Sequence, residues 1–220
     1  ELVGMYLSAN PLDPYWLEVR YGVGYTAAEK NEIETPTQTV TFAGMINAVE
    51  DRTLQSGSKM TIIKIEDYSG TTEITFFDKQ RAEFDRLCKV GQAVYVIGAF
   101  REIRNRNTGA VSVRFNVDRM LDLNDLVGKL VDSITITVDP DQIMPLSDIL
   151  DEEDLAFKAY KKKYDKSPGN TVPVNIDVYS SEHNRKIHFS SALHLPLSRK
   201  FLDDLDKQGI IFNINRKPLS

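Results

Sequence analysis

Residues 38–122 carry the clearest pattern in the chain, a two-residue alternation of apolar and polar positions that predicts half-buried strands. Val40, Phe42, Gly44 and Ile46 alternate with Thr39, Thr41, Ala43 and Met45, a first strand in which Gly44 invites a bend or bulge. Met60 to Glu66 reads as a second strand, with Thr61, Ile63 and Ile65 on one face. Asp67-Tyr68-Ser69-Gly70 is a tight turn, because Asp bonds its own backbone and Gly tolerates positive φ. Thr72 to Phe77 is a third strand. Lys79 to Leu87 changes to helical spacing, with Ala82, Phe84, Leu87 and Cys88 as the buried side and Gly91 ending the connection. Ala93 to Ile103 is a fourth strand interrupted by Gly98. Asn107-Thr108-Gly109 turns the chain into a fifth, Ala110 to Leu121.

The flanking regions read differently. In residues 1–37, Asn10-Pro11, Asp13-Pro14, Gly22 and Gly24 break regular structure. One short helix, Thr26 to Ile33, is marked by the capping-box spacing of Thr26 and Glu29. This stretch reads as an irregular arm of a preceding domain. Residues 123–220 begin with a short helical joint, Asn124 to Leu130, and continue with a strand, Asp132 to Val138. A helix follows over Asp151 to Lys163, acids first and lysines last, with Phe157, Tyr160 and Tyr164 on one face. Ser167-Pro168-Gly169-Asn170 is a turn, and Val172 to Tyr179 and Lys186 to Phe189 are strands. Ser198 caps a helix holding Phe201, Leu202 and Leu205, Gly209 stops it, and Ile210 to Ile214 is a last strand.

Three strands, a helix and two strands, with glycines inside the long strands, is the order of an OB-fold. The second region has the order βαββαβ, expected as a split βαβ arrangement. The predicted class is therefore α+β. A five-stranded OB-fold Greek-key barrel over 38–122 is followed by a small α+β domain over 123–220.

Composition excludes several classes. An apolar fraction of 41% and a charged fraction of 27% suit a folded chain rather than a disordered one. No run of apolar residues is long enough to span a membrane as a helix. The single cysteine, Cys88, allows no internal disulfide, is expected to be a small core residue, and fits a reducing, cytoplasmic setting. Residues 1–37 are net −4, residues 38–122 net +1 and residues 123–220 net −2, which together give the chain's −5. An anionic partner would therefore choose the middle block.

Catalytic signatures are missing. His183, His188 and His194 match no helical metal pair, and no nucleophile elbow, P-loop or dinucleotide fingerprint occurs. The expectation is a binding module with no catalytic residues, no metal and no cofactor. Its candidate ligand is single-stranded nucleic acid, because OB-folds hold ligand on strands two and three and between the loops joining strands one–two and four–five. Those places carry Arg52, Lys59, Lys64, Arg101, Arg104, Arg106 and Arg114, which would neutralise phosphates. Phe76 and Phe115 are the candidates for base stacking. Phe76 and Phe77 are adjacent, so one of them must face outward. Two other readings stay open at this point: an RNA-reading barrel of the aminoacyl-tRNA synthetase type, and a scaffold that binds only protein.

Leu2-Val3-Gly4-Met5-Tyr6-Leu7-Ser8, then Pro11-Leu12, resembles the stretch preceding the OB domain in the bacterial DNA polymerase III alpha-subunit family. Ala9 and Asn10 depart from that family's usual Gly and His. Phe42-Ala43-Gly44-Met45-Ile46, Ile65-Glu66-Asp67-Tyr68-Ser69-Gly70 and Glu73-Ile74-Thr75-Phe76-Phe77 are similar to its first strand and next hairpin. Ile187-His188-Phe189-Ser190-Ser191 and Phe201 to Gly209 are similar to its C-terminal domain. The resemblance implies a C-terminal piece of a replicative DNA polymerase without the polymerising carboxylates. It also implies a barrel near single-stranded template and a last domain that docks the clamp-loader tau subunit. No sliding-clamp motif of the Gln-x-x-Leu-x-Phe kind is evident.

Overall fold

A computed structural model describes residues 10–54, 57–104, 109–164, 171–180 and 182–217. Residues 107–108 of the expected hairpin turn, the expected turn over 167–170 and the opening stretch Leu2 to Ser8 lie outside the described residues. The chain divides into two compact units between Leu126 and Val127.

In the first unit the strands are β1 (Val40–Thr53), β2 (Lys59–Glu66), β3 (Thr71–Phe77), β4 (Ala93–Arg104) and β5 (Val111–Asp122), hydrogen-bonded in the order β3-β2-β1-β4-β5. All neighbouring pairs are antiparallel. β1 serves two partners in succession. Val40 to Met45 pair with β4, and Met45 to Thr53 pair with β2, with a register shift between Ile46 and Ala48 where the strand changes partner. A bulge there gives the sharp bend a small barrel needs. Gly44 has a different task from the bend expected of it. A Cβ at this position would stand 2.4 Å from the Glu66 carbonyl oxygen, so Gly44 permits the close approach of β1 and β2. At the register shift between Ile97 and Gly98, a Cβ on Gly98 would stand 2.2 Å from the Asn116 carbonyl.

The sheet is curled, because one apolar cluster draws on all five strands. It contains Phe42, Ile46, Ile63, Ile65, Ile74, Phe76, Val94, Val96, Val117 and Met120, with Phe84 and Cys88 below. Cys88 is buried as expected. Helix α3 (Asp78–Glu83) is shorter than the spacing predicted, and Ala82 is exposed rather than buried. Among the described residues no ladder joins β3 to β5. Gln80 bridges that seam at one end, its Nε2 donating to the Val117 carbonyl at 3.4 Å.

Residues 10–37 hold helices α1 (Trp16–Tyr21) and α2 (Ala27–Asn31) and group with the barrel in the first unit. The Thr26–Glu29 capping box forms as the spacing predicted. Asp67 does more than shape its turn. Its Oδ1 accepts from the Ser69 and Gly70 amides, and its Oδ2 accepts from the Ala27 amide at 2.7 Å, at the first residue of α2.

The second unit has β6 (Val131–Val138), α4 (Ile143–Tyr164), β7 (Thr171–Ser180), β8 (Arg185–Pro196), α5 (Arg199–Lys207) and β9 (Ile211–Arg216). The βαββαβ order is as expected, but the βαβ unit is not split. The sheet runs β8-β7-β6-β9, and β6 and β7 are directly paired in parallel. The β7–β8 hairpin pairs β8 on the outer side of β7, so no strand is inserted between β6 and β7. α4 starts earlier than its charge pattern suggests, because a capping box between Asp139 and Gln142 opens the turn before it. Tyr160 and Tyr164, placed on one face by their spacing, are exposed and pack on each other with ring centroids 4.6 Å apart. Ser198 caps α5 by accepting from the Phe201 amide at 3.0 Å.

Candidate nucleic-acid interface

Strand parity decides what the barrel shows to solvent. On β3, Thr72, Ile74 and Phe76 point inward, so Thr71, Glu73, Thr75 and Phe77 point outward. The ladders set three cross-strand rows on the outer face of β1, β2 and β3. They are Arg52–Met60–Phe77, Glu50–Ile62–Thr75 and Ala48–Lys64–Glu73. The first row combines an exposed phenyl ring, a thioether and a guanidinium at the end of the sheet nearest the β1–β2 loop. Phe77 is 42% exposed. That ring can stack on a base while the neighbouring cation meets a phosphate.

Phe76, expected as a stacking residue, faces inward. It is completely buried, with its ring 5.4 Å from that of Phe84, and cannot stack on a ligand. Phe115 is half-buried and packed against the barrel core, its ring 5.7 Å from Phe42 and 5.2 Å from Phe100, so it contributes to packing there. The parity of Ile74 already signals that Phe77, an odd number of residues further on, is the outward ring. Met60 and Arg81 were also missed, since only the pairing of β2 with β3 and the position of α3 bring them to this end.

The cations do not form one patch. Lys64 lies between two carboxylates, 3.4 Å from Glu50 and 3.5 Å from Glu73. Glu50 above all, then Glu73, raises its pKa and keeps it charged. Glu50 is held below the usual carboxylate range by Arg52 and Lys64. Arg52 pairs with Glu50 at 2.8 Å but keeps 58% of its side chain exposed. Arg52, Lys59 and Arg81 line a cleft of about 390 Å³ together with Asp51, Thr61 and Asp85. On the β4–β5 hairpin, Arg101 and Arg114 are directly opposite each other, and Arg101 pairs with Asp118 at 2.8 Å. Arg104, an odd number of residues from Arg101, projects from the other face of the hairpin. Arg106 lies outside the described residues. Among the described residues, no cluster of His, Cys, Asp and Glu has the arrangement of a metal site. No helix there is long and apolar enough to cross a membrane.

Comparison with known proteins bears on this geometry. Residues 40–127 match the family profile tRNA_anti-codon, described as an OB-fold nucleic acid binding domain. The chain is 19% identical over 213 residues to DNA polymerase III subunit alpha of Escherichia coli K12, a match covering 96% of this chain and 17% of that protein. The chain resembles DNA polymerase III subunit alpha. The subunit from Borreliella burgdorferi is 28% identical over 126 residues, 54% of this chain and 10% of that protein. That from Vibrio cholerae is 22% identical over 208 residues, 93% of this chain and 16% of that protein. The chain thus spans less than a fifth of the length of these relatives. Among solved structures, a small single-stranded DNA-binding protein from Streptomyces coelicolor aligns with 39% of this chain and 93% of its own. Its sequence identity is 16% and its TM-score 0.22, too low a score to add to the assignment. The matched residues 40–127 coincide with the five-stranded unit, whose fold is that of an OB domain.

Proposed function

We propose that the first unit binds single-stranded DNA as a non-catalytic module of a bacterial replicative DNA polymerase, and that the second unit docks the clamp-loader tau subunit within the replisome. The observation that carries the DNA-binding part is the outer row Arg52–Met60–Phe77 on an OB-fold sheet. It places an exposed ring and a cation beside a mixed-charge cleft that Lys59 and Arg81 share with Asp51 and Asp85, Arg81 being paired with Asp85. The mechanism is adsorption rather than chemistry: phosphates are neutralised by these cations and by the β4–β5 hairpin, and a base stacks on Phe77. The polymerising activity belongs, on this reading, to parts of a parent protein outside this chain. Resemblance across 96% of the chain, second unit included, supports one polymerase context for both units.

The test is fluorescence anisotropy of labelled single-stranded DNA at low and moderate salt. Wild-type protein is expected to bind with salt-sensitive, sequence-tolerant affinity, weakened by Arg52→Ala with Phe77→Ala. Binding that is indifferent to salt refutes the electrostatic mechanism. The profile match favours one second reading, recognition of a folded RNA loop. Preference for a structured RNA hairpin over an unstructured DNA strand of equal length would select it. For the second unit, immobilised tau subunit is expected to retain the chain through residues 127–220. A chain that passes over tau without retention removes the docking assignment.

A further inference from the structure

The seam between β3 and β5 is bridged at one end by Gln80 of α3. At the other end it is crossed by a residue from outside the barrel strands. Lys30, on α2, is only 4% exposed. Its ammonium donates to Thr72 Oγ1 at 2.9 Å and to the Glu73 carbonyl at 3.1 Å, both on β3. The same nitrogen stands 4.8 Å from the ring centre of Phe115 on β5, 5.7 Å from Phe100 on β4 and 5.4 Å from Phe42 on β1. A cation over aromatic faces in a desolvated site is held more firmly than one at the surface. One side chain therefore ties together strands that no ladder joins.

Phe100 and Phe115 are directly opposite each other at the base of the β4–β5 hairpin, and the next pair outward is Arg101 with Arg114. The arm grips this base a second time. The Thr37 amide donates to the Phe100 carbonyl at 3.0 Å, and the Phe100 amide donates to Thr37 Oγ1 at 3.1 Å. β4 is irregular just before this point, at the Ile97–Gly98 shift, so its own ladder does not fix the hairpin's direction uniformly. A leucine could fill the space around Lys30 but could not hold β3 by directed hydrogen bonds.

We infer that Lys30 and Thr37 are positioning residues for nucleic-acid binding: by closing the barrel seam they set the orientation of the β4–β5 hairpin that carries Arg101, Arg104 and Arg114. The inference rests on the single-stranded DNA reading above. Neither residue is required to touch the ligand. Lys30 is too buried for contact, and its role is exerted through Phe100 and Phe115.

The experiment compares the wild-type chain with Lys30→Met, Thr37→Val and Arg101→Ala, each at a temperature where it is fully folded. Two quantities are read: affinity for an unstructured DNA strand as a function of salt, and amide hydrogen exchange along β2, β4 and β5. Lys30→Met is expected to weaken binding about three- to tenfold with an unchanged salt slope, because no phosphate contact is removed. Arg101→Ala is expected to lower both affinity and slope. Exchange in Lys30→Met is expected to quicken at residues 99–104 and 111–116 while Ile62 to Ile65 stay protected. Thr37→Val, the milder change, is expected to shift both readouts in the same direction. If wild type binds and both arm variants bind equally well, with an unaltered hairpin, the inference is overturned and the DNA reading stands. If wild type binds no DNA, that reading falls, and slower or unchanged hairpin exchange in Lys30→Met would overturn the seam closure as well.

Discussion

Burial of Lys30 makes the stability of the first unit depend on pH in a direction opposite to that of most lysines. Desolvation lowers its pKa from 10.5 to about 8, and the Coulombic pull of Glu73 works against the shift. Above pH 8 the folded chain releases this proton while the unfolded chain keeps it until about 10.5, so the unfolded state binds more protons and stability rises with pH. The full interval corresponds to about 3 kcal/mol, of which roughly 2.5 is reached by pH 10. Three aromatic rings favour the charged form, which makes this figure a ceiling. The perturbation is Lys30→Met, which keeps the stem and removes the titrating group. Urea unfolding at pH 7, 8.5 and 10 gives the difference between wild type and variant, in which the other titrating groups cancel. Wild type is expected to gain on the variant by 1–3 kcal/mol, an order-of-magnitude range, as pH rises from 7 to 10. A difference that stays flat, or that moves against wild type, would refute desolvation as the dominant force on this lysine.

Phe77→Ala should weaken single-stranded DNA binding by roughly 1–3 kcal/mol with little change in Tm. Phe76→Ala should instead cost roughly 3–5 kcal/mol of stability, because its fully buried ring fills the core; equal behaviour of the two in calorimetry and anisotropy would contradict the strand parity. Gly98→Ala sets a methyl group against the Asn116 carbonyl of the paired strand and should lower stability by about 1–3 kcal/mol in a thermal melt. Asp67→Ala strips the acceptor from the Ala27, Ser69 and Gly70 amides and should cost about 2 kcal/mol, with faster proteolysis of the arm. An unchanged melt and digest would mean that this carboxylate does not hold α2.

Much of the fold was written in local patterns. Alternation from Val40 to Ile46 and from Met60 to Glu66, the Asp67–Gly70 turn, the Thr26–Glu29 capping box and the Ser198 cap are all set by side chains within a few residues of one another. These features depend on periodicity and turn chemistry, and both can be read along a chain. The inward phase of Ile74 belongs to the same class, and it identifies Phe77 as the outward ring.

Other features depended on which strand pairs with which. The direct parallel pairing of β6 with β7 replaced the expected split arrangement, because element order leaves strand order undetermined. Lys64 reads as a free phosphate ligand until the ladders set it between Glu50 on β1 and Glu73 on β3, each on a neighbouring strand across a turn. Gly44 and Gly98 look alike in sequence, and only the approach of the Glu66 and Asn116 carbonyls shows what each one permits. Lys30 is the clearest case. On a five-residue helix in a polar segment it resembles any solvated lysine, yet packing α2 on the barrel removes its water and surrounds it with rings contributed by β1, β4 and β5. Periodicity determined which residues of the chain turn inward; only the tertiary structure decided which charges meet there, because burial and pairing arise between segments distant in sequence.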